Sequence, residues 1–440
     1  MSAPPHRTLA AALLALLACA VALWLPASPT VRDASAHEGD TLFFEPPPND
    51  TTWYEEEAQP EVDIPEREDW LRAPIGDALL TPVEAWRSRE GDRDRFTPRL
   101  DYNRVDRLRP GLGYQFQSLR RMYPRLGARM EYSWRRERTM YGVQIEQPLV
   151  PPGRISLGVS AVRRTDHPEL QQVEDLENSL ALLFSRQDYR DYFEREGYGA
   201  YLAWRVPDFS TVSVHVRNDE FRTLLLDRGT RSFFHRGRDL RVNPAIDDGE
   251  SHSMSLRLER LAHRTSRTRA GSYHWIDLER SGHGLGGDFR YTRLLGDLRS
   301  VLRLTPATTL ALRLVGGHAM DGALPGQKQF TLGGVDGLRA HAFASDRGDQ
   351  LLLSQAEYML GLWRLRSGLF EGGLHAIAFV DAGRAWFNPK HRWDVQRQQI
   401  AIDGGFGLGT SEDNLRVYFA RKLNEKDSGF LVSMRLQRPF

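Results

Sequence analysis

The sequence predicts an exported, all-β protein: a transmembrane antiparallel β-barrel of sixteen strands, with a long inserted loop and a largely disordered N-terminal tether. Three observations carry this. The chain opens on the three parts of a secretory signal. Apolar and polar residues then alternate with a period of two over about fifteen segments, the period of a strand with two unlike faces. The chain ends on a phenylalanine with apolar residues at alternate positions behind it.

At the N-terminus, His6 and Arg7 precede an apolar run from Leu9 to Leu25, and Ala34-Ser35-Ala36 supplies a small-residue cleavage site before His37. The run of about 17 residues is at the lower limit for a spanning helix, so a retained signal anchor is the alternative. Leu16-Leu17-Ala18-Cys19 loosely fits a lipidation site. The apolar run continues past that cysteine, which argues against it. Cys19 is the only cysteine, so a cleaved chain forms no disulfide and no thiolate metal site. Residues 1–36 are read as signal peptide, 37–95 as periplasmic tether and 96–440 as barrel.

The tether is acidic and proline-rich. Between Glu45 and Asp69 ten acidic residues face one basic residue, Arg67, and Pro46, Pro47, Pro48, Pro60 and Pro65 interrupt it. Such a segment cannot bury enough apolar surface to offset the entropy of ordering it. Its charge of −9, set against +1 for the whole chain, leaves about +10 elsewhere. Trp70 to Trp86 can hold one amphipathic helix, either a plug for the barrel or plain linker.

From about Arg99 the alternation begins. Phe430, Val432, Met434 and Leu436 share a face with Phe440, against Leu431, Ser433, Arg435 and Gln437. Leu415, Val417 and Phe419 oppose Arg416 and Tyr418, and Leu310, Leu312 and Leu314 oppose Arg313. Arginine opposite leucine fits a strand with lipid outside and water inside. A mean hydropathy of −0.49 suits a soluble sandwich as well. The sandwich is disfavoured because aromatics gather at segment ends (Tyr132 and Trp134, Trp204, Tyr273 and Trp275, Trp386 and Phe387), as interfacial girdles require. Fifteen strand starts are legible, and single-chain bacterial barrels close with an even number. The missing strand is expected between Leu224 and Asp248. Leu176, Leu180, Leu183 and Phe184 repeat at helical spacing, predicting a short helix in a loop between Pro168 and Arg195.

The stretch Thr331-Leu332-Gly333-Gly334-Val335-Asp336-Gly337-Leu338-Arg339-Ala340-His341-Ala342-Phe343 resembles the long loop of the bacterial surface antigen superfamily, the BamA/TamA-type barrels. That loop carries a glycine pair and an aliphatic-Arg-Gly-aromatic block, and folds back inside the barrel. Leu338 and Arg339 match; Ala340 stands in the glycine position and His341 in the aromatic one. Ser354-Gln355-Ala356-Glu357-Tyr358 and Phe379-Val380-Asp381-Ala382-Gly383 resemble the next two blocks in the family's order. Five segments follow the loop, as in the family's sixteen-strand barrel, and Tyr102-Asn103-Arg104-Val105 resembles a sequence found near its start. The terminal Phe430, Val432, Met434, Leu436 and Phe440 resemble the signal read by outer-membrane assembly machinery, with Arg438 as a departure.

The chemistry of these residues points the same way. A guanidinium left unpaired in a poorly solvated lumen is costly, and Glu357 and Asp381 fall at positions that can point inward. By alternation Asp381 joins Phe379 and Ile377 inside, while Ala378, Val380 and Ala382 face lipid. Arg339 is therefore expected to clamp the loop to the wall, since a planar guanidinium engages carboxylates bidentately. Gly333 and Gly334 can adopt positive φ and permit a sharp turn into the barrel. Ala340 in place of glycine puts the depth of insertion in question.

The resemblance implies assembly or translocation of protein or lipid at the outer membrane, aided by periplasmic POTRA domains that receive the client. No complete POTRA domain fits the about 60 residues ahead of the barrel. Inward basic residues (Arg257, Arg290, Arg303, Arg313, Arg416) suggest the alternative of an anion-attracting passive pore. Enzymatic function is not expected. His215, His252, His274, His318 and His375 sit at no nucleophile spacing, and no Gly-x-Ser-x-Gly elbow occurs. No metal, cofactor or nucleic-acid site is predicted. Expected partners are outer-membrane lipid and lipopolysaccharide, the assembly machinery during the chain's own insertion, and a periplasmic partner reached through residues 45–69.

Overall fold

The computed structural model describes residues 93–436 except 118–121, 151–153, 207–209, 235–238, 261–270, 306, 368–369, 389, 391–392, 394–398, 411–414 and 426. The signal, tether and Trp70–Trp86 readings, and Phe440, lie outside the described residues.

The chain forms β1 (Arg93–Asn103), β2 (Arg107–Gln117), β3 (Arg125–Ser133), β4 (Arg138–Val150), β5 (Ile155–Asp166), helix α1 (Asp175–Ser185), β6 (Phe193–Val206), β7 (Ser210–Thr223), β8 (Gly249–Arg260), β9 (Gly271–Ser281), β10 (Tyr291–Thr305) and β11 (Thr308–Asp321). There follow β12 (Phe330–Leu332), β13 (Asp346–Gly348), β14 (Gln350–Ser367), β15 (Phe370–Trp386), β16 (Ala401–Thr410), β17 (Arg416–Lys422) and β18 (Leu431–Arg435). All but β12 and β13 make one sixteen-stranded antiparallel sheet in which neighbours in space are neighbours in sequence. β12 and β13 pair with each other inside the β11–β14 loop. Among the described residues no ladder joins β1 to β18.

Sixteen strands are found, but the strand missing from the sequence count is not between Leu224 and Asp248. It is β1, before the segment where alternation is first obvious. Arg93, Arg95, Thr97 and Arg99 keep one phase, but Asp94 and Pro98 break the apolar phase around Phe96 and Leu100, so no strand start is read there. The Tyr102-Asn103-Arg104-Val105 block is its hairpin turn: Asn103 Oδ1 accepts the N–H groups of Val105 at 3.0 Å and Asp106 at 2.7 Å, an Asx turn.

The two faces of the sheet differ as a membrane barrel requires. On β4, Tyr141, Val143 and Ile145 are exposed while Gln144 and Glu146 are buried. On β6, Tyr198, Leu202 and Trp204 are exposed while Tyr201 and Arg205 are buried. The enclosed side therefore holds most of the charge, the reverse of a sandwich core. Two girdle assignments need correction. Tyr132, Trp134, Trp204 and Phe387 are exposed, but Tyr273, Trp275 and Trp386 are buried. Trp275 lies under Arg257 at 4.8 Å and Tyr273 under Arg299 at 5.5 Å. Their strand phase turns them inward, where a cationic neighbour suits an aromatic face. Ala382, expected to face lipid, is also buried.

Two loops occupy the enclosed side. The β11–β14 loop contributes Phe330, Leu332 and Leu338 to an apolar cluster with Tyr291, Leu295, Val315, Leu351 and Leu353 of the wall. The β5–β6 loop contains α1, as the helical spacing predicts. Asp175 and Glu177 lie in its first turn, favourable at the positive end of the helix dipole. Arg186 ends it in the left-handed conformation, φ 55°, with its N–H turned back on the Leu182 carbonyl and that of Gln187 on the Ala181 carbonyl. The loops touch each other: the Gln172 N–H donates to Asp336 at 2.9 Å. His167, half-buried at the root of this loop, is held down to about 4 because desolvation and then Arg190 disfavour its charged form.

If the exposed face of β4 meets lipid, Val143→Arg will lower the stability of vesicle-inserted protein by about 2–4 kcal/mol, the cost of a guanidinium near the bilayer midplane. Urea unfolding from lipid vesicles measures this, and an unchanged midpoint would place Val143 away from hydrocarbon.

Candidate functional site

Cross-strand register concentrates negative charge on one part of the inner wall. Asp381 on β15 is paired with Gln355 of β14 on one side and with Asp403 of β16 on the other. Glu357 follows two residues after Gln355, on the same inward phase. All three carboxylates are fully enclosed. Directly opposed like charges destabilise a sheet, and buried charges persist only when paired and hydrogen-bonded. Arg416 of β17 serves Glu357, and the row needs a further cation.

The β11–β14 loop supplies it. Arg339, 2% exposed, donates from Nε to Asp381 Oδ2 at 2.8 Å, from Nη2 to Asp381 Oδ1 at 2.7 Å, and from Nη1 to Glu357 Oε1 at 2.5 Å. The fork engages one carboxylate with two nitrogens and a second carboxylate with the third. The guanidinium carbon lies 3.9 Å from the Phe379 ring centre and 4.8 Å from that of Tyr418. Those rings meet edge-on at 5.6 Å and 90°. Burial pulls the Arg339 proton affinity down, and the Asp381 and Glu357 carboxylates more than offset it, so the cation is retained.

Neighbours complete the lattice. Gln355 Nε2 donates to Asp381 Oδ1 at 3.1 Å and to the Gly337 carbonyl at 2.9 Å. Tyr418 Oη donates to Glu357 Oε1 at 3.0 Å, and Arg416 Nη1 reaches Glu357 Oε2 at 3.4 Å. The Ala340 N–H donates to Asp403 Oδ2 at 2.7 Å, and His341 Nδ1 lies 3.1 Å from the same oxygen. Ala340 in the glycine position does not keep the loop from the wall: its amide reaches Asp403, and its methyl joins a buried apolar cluster with Ile377, Phe379 and Tyr418.

Gly333 and Gly334 have φ of 110° and 86°. A Cβ on Gly333 would stand 2.3 Å from the Ala342 carbonyl oxygen, and the Gly334 N–H bonds the carbonyls of Leu338 and His341. The pair folds the loop tip back on itself. Leu338 is fully buried in the apolar cluster, which fixes the backbone on the N-terminal side of Arg339.

Other candidates fall elsewhere. Val432 and Met434 are exposed, Ser433 and Arg435 buried, and Phe430 and Leu436 lie at the ends of β18. Arg313 is held by Asp297, Nη2 to Oδ2 at 2.8 Å, and by Gln355 at 3.1 Å. Arg257 reaches Glu259 at 3.3 Å. Ser213 Oγ lies 2.8 Å from His215 Nε2, but the two are buried two residues apart on one strand. Among the described residues no group of three or more His, Cys, Asp or Glu is placed to hold a metal ion, and no helix is long and apolar enough to cross a membrane. Sequence reasoning missed Asp403, Gln355, Phe379 and Tyr418 as clamp members. The inward phase of each strand gives the signal for all four.

Arg339→Ala leaves Asp381 and Glu357 without their main cation and should cost about 3–5 kcal/mol. Arg339→Lys restores charge but not the fork or the ring contacts, and should recover only part. Denaturant unfolding of the folded barrel reads both; equal midpoints for wild type and Arg339→Ala would refute the clamp. Gly333→Ala should lower the midpoint also, through its φ and the Ala342 contact.

A model of the Omp85 superfamily domain matches residues 125–427. No curated protein matches the chain. Among solved structures, BamA from Haemophilus ducreyi lacking POTRA domains 1–3 is similar at 12% identity and a TM-score of 0.52, over 79% of this chain and 71% of that one. CdiB from Acinetobacter baumannii is 14% identical, TM-score 0.42, over 78% of this chain and 58% of that one. CdiB from Escherichia coli is 12% identical, TM-score 0.43, over 77% and 61%. The chain thus spans about three fifths of the length of the CdiB chains. Its sixteen-stranded sheet, inserted loop and family match make it an outer-membrane barrel, and the chain belongs to the Omp85 superfamily.

Proposed function

We propose that this barrel assists the assembly or translocation of protein or lipid at the outer membrane, with the Arg339 loop as its internal strut. The observation that carries this reading is the anchoring of Arg339 on Glu357 and Asp381 inside the wall. A loop held by buried ion pairs and an apolar cluster occupies space that an open pore needs for water. Inward arginines also have carboxylate partners: Arg313 with Asp297 and Arg416 with Glu357. Paired charge offers little attraction to a passing anion, which weighs against a passive pore. The outward apolar residues are suited to lipid, and lipopolysaccharide phosphates are suited to exposed arginines such as Arg228 in the β7–β8 loop. The acidic segment 45–69 is suited to a basic periplasmic partner. No enzymatic step is assigned.

The test is a paired measurement on purified full-length protein. Liposomes carrying it should accelerate folding of an added outer-membrane β-barrel client several-fold over empty liposomes, and planar bilayers should show no large steady conductance. A large steady conductance without client acceleration would replace this reading with the passive pore.

A further inference from the structure

Helix α1 has its polarity turned around. Its polar residues Glu177, Asn178 and Ser179 are buried, while Leu176 is 64% and Phe184 48% exposed and Leu180 and Leu183 are half-buried. Three residues of the polar side reach the first and last strands. The backbone N–H of Tyr102 on β1 donates to Ser179 Oγ at 2.8 Å, and Asp175 pairs with Arg99 of β1 at 2.7 Å. Glu177 accepts from Arg435 Nε of β18 at 2.6 Å. Arg435 in turn donates to Asp336 of the clamp loop at 2.8 Å. One helix therefore touches both strands that no ladder joins among the described residues.

The angular order around the helix decides where its apolar stripe points. At about 100° per residue, Leu183, Leu176, Leu180 and Phe184 fall in the arc of roughly 160° from Ser179 round to Glu177. Ser179 looks at the β1 edge and Glu177 at β18, so the stripe looks out between them, with its Phe184 end packed against Phe233 and Phe234 of the β7–β8 loop, which are themselves exposed. Asn178, on the opposite side, bonds Asp188 at 3.1 Å and Tyr192 at 2.8 Å, inside the loop. On either side of the stripe the outward residues are apolar and exposed: Phe96 and Leu100 on β1, Val432 and Met434 on β18.

We propose that α1 completes the barrel wall between β1 and β18, its apolar stripe in contact with lipid acyl chains and its polar face capping the two strands. A free strand edge in hydrocarbon leaves donors unsatisfied, at several kcal/mol each. The Ser179 hydroxyl satisfies one such donor, that of Tyr102. The stripe continues the lipid-facing band of both flanking strands, which is why lipid rather than water or a second protein is its occupant. The inference rests on the chain being membrane-embedded and not on what it assembles or translocates.

The test uses the full chain with Cys19→Ser, reconstituted in liposomes, with single cysteines carrying an environment-sensitive fluorophore. Leu180→Cys and Leu176→Cys are the stripe positions, Ser185→Cys the opposite side of the helix, and Met434→Cys the lipid-facing reference. Heat-modifiable gel mobility verifies that each variant is folded. Spin-labelled lipid should quench 176 and 180 to an extent comparable with 434, and 185 several-fold less. Quenching of 176 and 180 by aqueous iodide and not by spin-labelled lipid, with 434 still quenched by lipid, would overturn the wall role while leaving the membrane reading intact. Equal lipid quenching at 180 and 185 would also overturn it, since the helix would then not be seated by its polar face. Loss of lipid quenching at 434 itself would fault the membrane reading instead.

Discussion

The ion pair between Arg339 and the carboxylates of Asp381 and Glu357 is the constraint on which the interior depends. Strand register sets Asp381 against Asp403, and the wall's Arg416 pairs with Glu357 rather than with either aspartate. The cation comes from a loop whose sequence position is remote from two of its partners, so the loop must enter the enclosed side for the sheet to be stable. In this sense loop and wall specify one another. The flanking Phe379 and Tyr418 rings fill the space around the guanidinium and leave little room for water, which strengthens the pairing.

The same logic extends across the interior. Arg109 bridges Asp101 and Glu131 at 2.8 and 3.1 Å, Arg293 bridges Glu169 and Glu279 at 2.8 and 2.9 Å, and Arg435 bridges Glu177 and Asp336 at 2.6 and 2.8 Å. In two of these an arginine on a strand binds a carboxylate on an inserted loop. Charge that would be costly if isolated becomes the adhesive between wall and loops, because each removal strands a partner. Apolar packing around Leu338 supplies the rest. The outer faces of β4, β6 and β18 are correspondingly apolar, with Val143, Leu202 and Met434 exposed.

Much of this was legible in the residues. The alternation around Arg313 and Ser433 gave strand phase, and phase gave the inward direction of Glu357 and Asp381. The glycine pair and Leu338-Arg339 marked the loop. What stayed hidden has physical causes. β1 escaped because Asp94 and Pro98 break the apolar phase that Phe96 and Leu100 otherwise carry. Trp275 and Tyr273 were misplaced because an aromatic suits both an interface and an arginine-lined interior. Asp403 and Tyr418 were missed as clamp members because register between distant strands, not local sequence, brings them beside Arg339. The reversed polarity of α1 was present in Leu176, Leu180, Leu183 and Phe184, but helical spacing alone does not say which face is buried.

A double-mutant cycle on Arg339 and Asp381 tests the central claim most directly, with Arg339→Met, Asp381→Leu and the double substitution followed by denaturant unfolding from lipid vesicles. The account predicts strong non-additivity, the double substitution costing no more than either single one, because each single change leaves a buried charge unpaired. Additive costs would contradict it, showing that loop and wall are stabilised independently.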